Sequence, residues 1–263
     1  MAAVENCPRP ESDDATTVIA AGVLAATLAA LCHETLGHGL GCVIDGGRVT
    51  LLTSIWFRCH GATSLTDAAG PFASLVAGRA AFGLLKIEQV DRVVRFILIL
   101  FGAVSLFWFA GQLIDHAAIN GDDWGIVARR NHWPALWRPI AITVGVAAYA
   151  GAIALTAAVL RRKGAPRWQA IGLAYAASVA SAVIAGLMWQ AAPIRSALEG
   201  FLTLGIAPLG LLAAAKRAGR KADGAAPIPR SWPWIATSAV VFVIFLVVQG
   251  RGLGPLAASG LPH

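Results

Sequence analysis

Charge is scarce in this chain. Of 263 residues only 13% are Asp, Glu, Lys or Arg, while 57% are hydrophobic and mean hydropathy is +0.67. Soluble domains of this length need a far more polar surface, so composition excludes that class. Cysteine is scarce as well: Cys7, Cys32, Cys42 and Cys59 show no framework spacing, which argues against structural disulfides and leaves the redox compartment unread. Residues 1–16 have no basic segment and carry Glu5, Glu11, Asp13 and Asp14. They read as a disordered polar tail rather than a cleaved signal peptide. No internal repeat of fixed period is visible. The net charge of +7 belongs to membrane-flanking loops and implies no nucleic-acid partner.

What the chain does have is long apolar runs. Several approach the roughly 20 residues needed to cross a bilayer. The fold class expected is an all-α polytopic membrane protein of about six to seven transmembrane helices, with a short β-ribbon after the first. The spans are placed at 17–43, 68–86, 93–115, 138–160, 168–189, 197–215 and 232–249. The sixth contains Gly205, Pro208 and Gly210 and reads as broken or re-entrant. Trp232 and Trp234 are interface anchors for the last. Between the first two spans, Asp45-Gly46-Gly47 signals a turn. The β-branched and aromatic stretch 48–59 is too short to span as a helix and reads as a strand pair. The chain divides into a tail (1–16), a membrane core (17–130), additional transmembrane helices (131–250) and a second tail (251–263).

With seven spans, thirteen of the 21 Lys and Arg fall on the N-terminal side and seven on the other. The positive-inside rule then puts the N-terminus in the cytoplasm, with a bacterial inner membrane as the expected location. Arg79 lies inside the second span and reads as a structural ion-pair partner, unless it snorkels. Cys32 reads as a small packed apolar residue.

One stretch breaks the apolar pattern: His33-Glu34-Thr35-Leu36-Gly37-His38-Gly39, in the last third of the first span. Ionisable groups at membrane depth are functional candidates. Two imidazoles beside a carboxylate suit a metal with an adjacent base, because a catalytic zinc takes three protein ligands and keeps one position for water. In an α-helix His33 and His38, five apart, lie about 140° from one another, too far round to share a metal. The spacing therefore predicts a π-bulge through 33–38, eased by Gly37 and Gly39. The third ligand expected is Asp123 or, alternatively, Asp122, just past the third span. Asp115 and His116 are backups at similar depth. Cys59-His60 is a further pair that could reach or cap the site if the ribbon folds back. His116, Asp115 and His60 are candidates for orienting the ligands.

These residues resemble the site-2 protease family of intramembrane zinc metallopeptidases. The His33-to-His38 stretch is similar to that family's His-Glu-x-x-His helix, Asp45-Gly-Gly-Arg-Val-Thr to its ribbon, and Ala69-Gly70-Pro71-Phe-Ala-Ser74 to the Ala-Gly-Pro opening of its next span. Asn120-Gly-Asp-Asp123-Trp resembles the segment bearing its Asp ligand. The resemblance covers about residues 20–130. It departs in the extra residue between the histidines, in Ser74 where that family often has Asn, and in lacking an Asn-Pro-Asp-Gly segment. Many members place the metal near the cytosolic face, whereas the charge count puts this motif on the opposite side.

The resemblance implies one Zn2+ per chain held by His33, His38 and Asp123, with Glu34 as general base and later proton donor. It implies a metalloprotease cleaving a membrane-embedded protein or peptide substrate by metal-activated water. The alternatives are a catalytically silent, metal-binding membrane regulator and a transporter on the same scaffold. A transporter requires its polar groups to line a path across the whole membrane. A di-iron oxygenase needs more histidine than the six present.

Overall fold

A computed structural model describes residues 12–87, 89–164, 167–219 and 226–258. Among these residues the chain forms eight helices and one hairpin: α1 (Ala15–Ile44), β1 (Arg48–Leu52), β2 (Phe57–His60), α2 (Ser64–Leu84), α3 (Arg92–Ile119), α4 (Asp122–Arg130), α5 (Trp137–Lys163), α6 (Trp168–Leu187), α7 (Pro193–Ala218) and α8 (Trp232–Gly250). Six of them, α1, α3, α5, α6, α7 and α8, are long and apolar enough to cross a membrane. They mark the chain as a multi-pass integral membrane protein. α2 runs between the same two ends of the bundle, from the hairpin back to the face where α1 begins.

Each end of the bundle is tied together by its own loops. At the N-terminal end, Asp14 caps α1 through the Thr17 amide, and the Asp14 amide donates to the Ile228 carbonyl. Asp13 accepts from the Ile228 amide. The expectation of a disordered tail therefore fails for residues 12–14, and residues 1–11 lie outside the described residues. The Thr17 hydrogen bonds hold the Asp14 carboxyl below its usual range. At the other end, Leu52 and Leu253 form an antiparallel bridge, and the Trp189 indole donates to the Ala257 carbonyl. The stretch after α8 thus packs on the hairpin through Leu253 and Leu256, whose amide donates to the Thr50 carbonyl.

The core is built in two storeys. Near the N-terminal end Val18, Phe96, Leu100, Phe107 and Ile171 pack together. Near the hairpin the packing comes from Leu51, Trp56, Trp108, Trp189 and Phe245. Large apolar side chains such as Ile140, Val144, Val240 and Val243 remain exposed on the outer helices, the pattern of a surface that meets hydrocarbon rather than water. The helices after residue 130 interleave with those before it: α6 and α8 flank α1, and α5 packs on α3.

Two further expectations are revised. Cys42 and Cys59 form a disulfide, which joins the end of α1 to β2. The two lie seventeen positions apart in sequence, and the turn at Asp45 folds the hairpin back against the end of α1. Arg79 is exposed and has no ion-pair partner among the described residues. It lies one turn and a half from the end of α2, close enough for its head group to snorkel to the N-terminal face. The sixth span is broken, with a π-turn at Leu202–Ile206 and a 3-10 turn at Ala207–Leu209, and as a whole it is long and apolar enough to cross.

Candidate metal centre

From Leu31 to Gly39 the backbone of α1 is a π-helix. The wider turn brings residues five apart onto one face. Nε2 of His33 and Nε2 of His38 lie 3.2 Å apart. Both rings are buried, as is Glu34 between them, and none is more than 4% exposed.

The close approach of α2 makes this packing possible. A β-carbon on Gly37 would lie 2.6 Å from the Gly70 Cα, and one on Gly70 would lie 2.2 Å from His38 Nε2. The Ala69-Gly70 pair thus lets two backbones and an imidazole share one space. From the same helix, the Thr66 carbonyl accepts from His38 Nδ1 at 2.8 Å, and Ser74 Oγ meets His33 Nδ1 at 3.0 Å. With each Nδ1 partnered, the two Nε2 atoms turn toward one another, the orientation that metal-ligating histidines take. The faces of the rings are held as well. His33 stacks on Trp108 at 4.2 Å between centroids, and His38 on Phe57 of β2 at 5.4 Å.

The third donor comes from α4. α3 ends at Asn120 and the chain reverses through Asn120 (φ 53°) and Asp122 (φ 52°). Asn and Asp are the non-glycine residues that most readily adopt this left-handed conformation. The reversal delivers Asp123, with its Oδ2 at 3.5 Å from His33 Nε2 and its Oδ1 at 3.4 Å from His38 Nε2. His33, His38 and Asp123 each offer a ligand atom within 4.8 Å of the others, so this buried group could hold a metal ion. Burial opposes ionisation of Asp123, but the facing imidazoles outweigh it and hold the carboxyl well below the usual range.

Asp122 takes a different place. Its Oδ2 lies 3.5 Å from His116 Nε2, and the Trp124 amide donates to His116 Nδ1. Burial and the neighbouring Asp123 charge push the Asp122 carboxyl up. Asp115 and His116 line the same cavity but stand outside the three-donor group. His60 does not reach the site. It is exposed at the end of β2 and absent from the cavity lining, because the Cys42–Cys59 disulfide draws that end of the strand to the end of α1. The ribbon does cap the site, but through Phe57.

The donors open onto a cavity of about 520 Å³ lined by Glu34, Trp56, Arg58, Gln112, Tyr149 and Glu199, among others. Glu34 has no hydrogen-bond or ion-pair partner among the described residues; it faces the cavity unpartnered. The Gln112 amide lies among the donors, 3.3 Å from His33 Nε2, and donates to Asp123 Oδ2 at 3.1 Å.

Several of these residues escaped the sequence reading. Phe57, Trp108 and Tyr149 look like ordinary apolar packing. Gln249 accepts from Thr35 and donates to the Thr53 carbonyl, linking the π-helix to the hairpin, and nothing in the sequence marks it. Glu199 had a signal, since a lone carboxylate in an apolar run is a functional candidate by default. Ser74 was visible only as a variation on a motif.

No family model, curated protein or solved structure matches this chain.

Proposed function

We propose that this protein is a zinc-dependent intramembrane metalloprotease related to the site-2 protease family, cleaving a peptide bond in or near the membrane. The observation that carries the proposal is the convergence of His33, His38 and Asp123 within 4.8 Å, beside an unpartnered Glu34 in a cavity. Two neutral imidazoles and one carboxylate are a common donor set for catalytic zinc. Their orientation by Thr66 and Ser74 fits that metal.

Zinc held there would supply a Lewis acid that polarises the scissile carbonyl and acidifies water. The protein's own residues do the rest. Glu34 takes a proton from the attacking water and returns it to the departing amine. Trp108 and Phe57 hold the imidazoles rigid and keep bulk water from their faces. The cavity, walled by Trp56 and Arg58 of the hairpin and by the broken part of α7, admits a locally unwound segment of a substrate helix. The polar groups gather at one depth beside the hairpin, which speaks against a transporter.

The Gln112 amide favours a second reading, a catalytically silent metal-binding regulator. An amide lodged among the donors stands where a reacting water would need room.

Zinc per chain should be measured by elemental mass spectrometry on detergent-purified protein, followed by cleavage of a panel of single-span model peptides read by product mass. One zinc and cleavage that Glu34→Gln abolishes, with its zinc retained, support the protease. One zinc with no Glu34-dependent cleavage of any peptide supports the silent regulator. Absence of zinc overturns both.

A further inference from the structure

The end of the bundle opposite the hairpin holds a second cavity, of about 200 Å³, between the start of α3, the end of α5 and the segment that leads into α8. Its charged lining residues are Arg92, Arg95 and Lys163, and its floor is Phe96, Ile99 and Ile228. No carboxylate lines it among the described residues. Among the described residues none of the three cations forms a salt bridge; Asp91 is turned to the Val93 and Val94 amides as the cap of α3, and the Asp13 carboxylate, beside the floor, accepts from the Ile228 amide.

The two guanidinium groups are held by main-chain carbonyls. Arg92 donates to Pro227, and Arg95 donates to Val90 and Lys163. Neutral acceptors fix their positions without cancelling their charge. Each guanidinium retains further N–H donors for a ligand. Three cations around one cavity repel one another, and an anion between them relieves that repulsion.

From this geometry we infer a binding site for a phosphate-bearing anion. Arg92, Arg95 and Lys163 take the phosphate oxygens, and the apolar floor takes the carbon chain attached to it. The pairing of a cationic rim with an apolar floor at the end of a helix bundle matches an anionic phospholipid, with its head group at the interface and its acyl chain along α3. Basic pockets between transmembrane helices are a recurring mode of such recognition. The site lies at the far end of the molecule from His33 and Asp123 and does not depend on the proposed protease activity.

The test is binding to the full chain in nanodiscs of phosphatidylcholine doped with phosphatidylglycerol, read by native mass spectrometry of retained lipid, with inorganic phosphate titrated separately. Retention of phosphatidylglycerol over phosphatidylcholine, weakened roughly thirtyfold in an Arg92→Gln/Arg95→Gln variant, is expected if each cation contributes about 1 kcal/mol. Saturable binding of inorganic phosphate that the same variant loses, without lipid preference, would assign the site to a free phosphate compound. Equal retention of both lipids with no phosphate binding overturns the inference, as does a preference the double variant leaves unchanged. Helical content by circular dichroism and the thermal unfolding midpoint of the variant serve as the folding control.

Discussion

Gly70 lies against the His38 ring so closely that a single methyl group there would sit 2.2 Å from Nε2. The ring has little freedom to yield, because its Nδ1 is bonded to Thr66 and its face is stacked on Phe57. Gly70→Ala should therefore displace the imidazole and cost at least about tenfold in zinc affinity, the scale of an outer-partner loss. Helical content by circular dichroism should be unchanged. Zinc retained at wild-type affinity would mean that His38 does not ligate through Nε2.

Asp123 and Asp122 should separate cleanly. Asp123 approaches both histidines, while Asp122 approaches only His116. Asp123→Ala should lose zinc, and Asp122→Ala should keep about one per chain. The reverse pattern in elemental analysis would show that α4 rotates on binding and would move the third-ligand role to Asp122.

Ser74 is a test of orientation alone. Its hydroxyl faces Nδ1 of His33 and touches no proposed ligand position. Ser74→Ala should weaken zinc by about 10–100-fold, and Ser74→Asn should restore much of it. Competition with a chelator of known affinity measures both. An indifferent Ser74→Ala would mean that Trp108 stacking suffices to hold the ring.

The Cys42–Cys59 disulfide closes a loop of 17 residues, a constraint worth about 3 kcal/mol in the chain-entropy account. Reduction should loosen β2, lift Phe57 from His38 and lower both thermal stability and zinc retention. Maleimide labelling followed by intact mass should show two additional thiols after reduction. A persistent disulfide needs an oxidising compartment on the hairpin side, so the expectation that the cation-rich end faces the cytoplasm is tested by the same labelling. Equal labelling with and without reductant, on protein from intact cells, would reverse that orientation.

Asp45 ties the turn after α1 to the start of α2. Hydrogen bonds from Thr66, then Thr63, hold its carboxyl below 3.8, its ordinary value. A depressed folded-state value means that its stabilising contribution is complete above the ordinary value and is lost as pH falls through the depressed one. At neutral pH, Asp45→Asn should speed hydrogen exchange at the Thr63 and Thr66 amides, which donate to Asp45. In the wild type the same acceleration should appear only in acid.

Much of this protein was determined by its sequence because membranes leave few choices. Apolar length alone places the helices to within a few residues, since backbone groups in lipid must be satisfied inside each helix. The hairpin followed from a turn signal between β-rich stretches. The π-helix followed from the spacing of His33 and His38, because two ligands five apart cannot meet on an α-helix. Tertiary structure decided what depends on distance between elements. Asp123 and not Asp122 faces the histidines because two left-handed residues set the rotation of α4, a choice that neighbouring aspartates do not reveal. Cys42 meets Cys59, and so His60 is turned away, because the turn at Asp45 folds the ribbon against α1. Gly70 was visible in the sequence only as part of an Ala-Gly-Pro resemblance; that it lies against an imidazole is decided by the packing of α2. Lys163, far from Arg92 and Arg95 in sequence, joins them only because α3 begins and α5 ends at the same face.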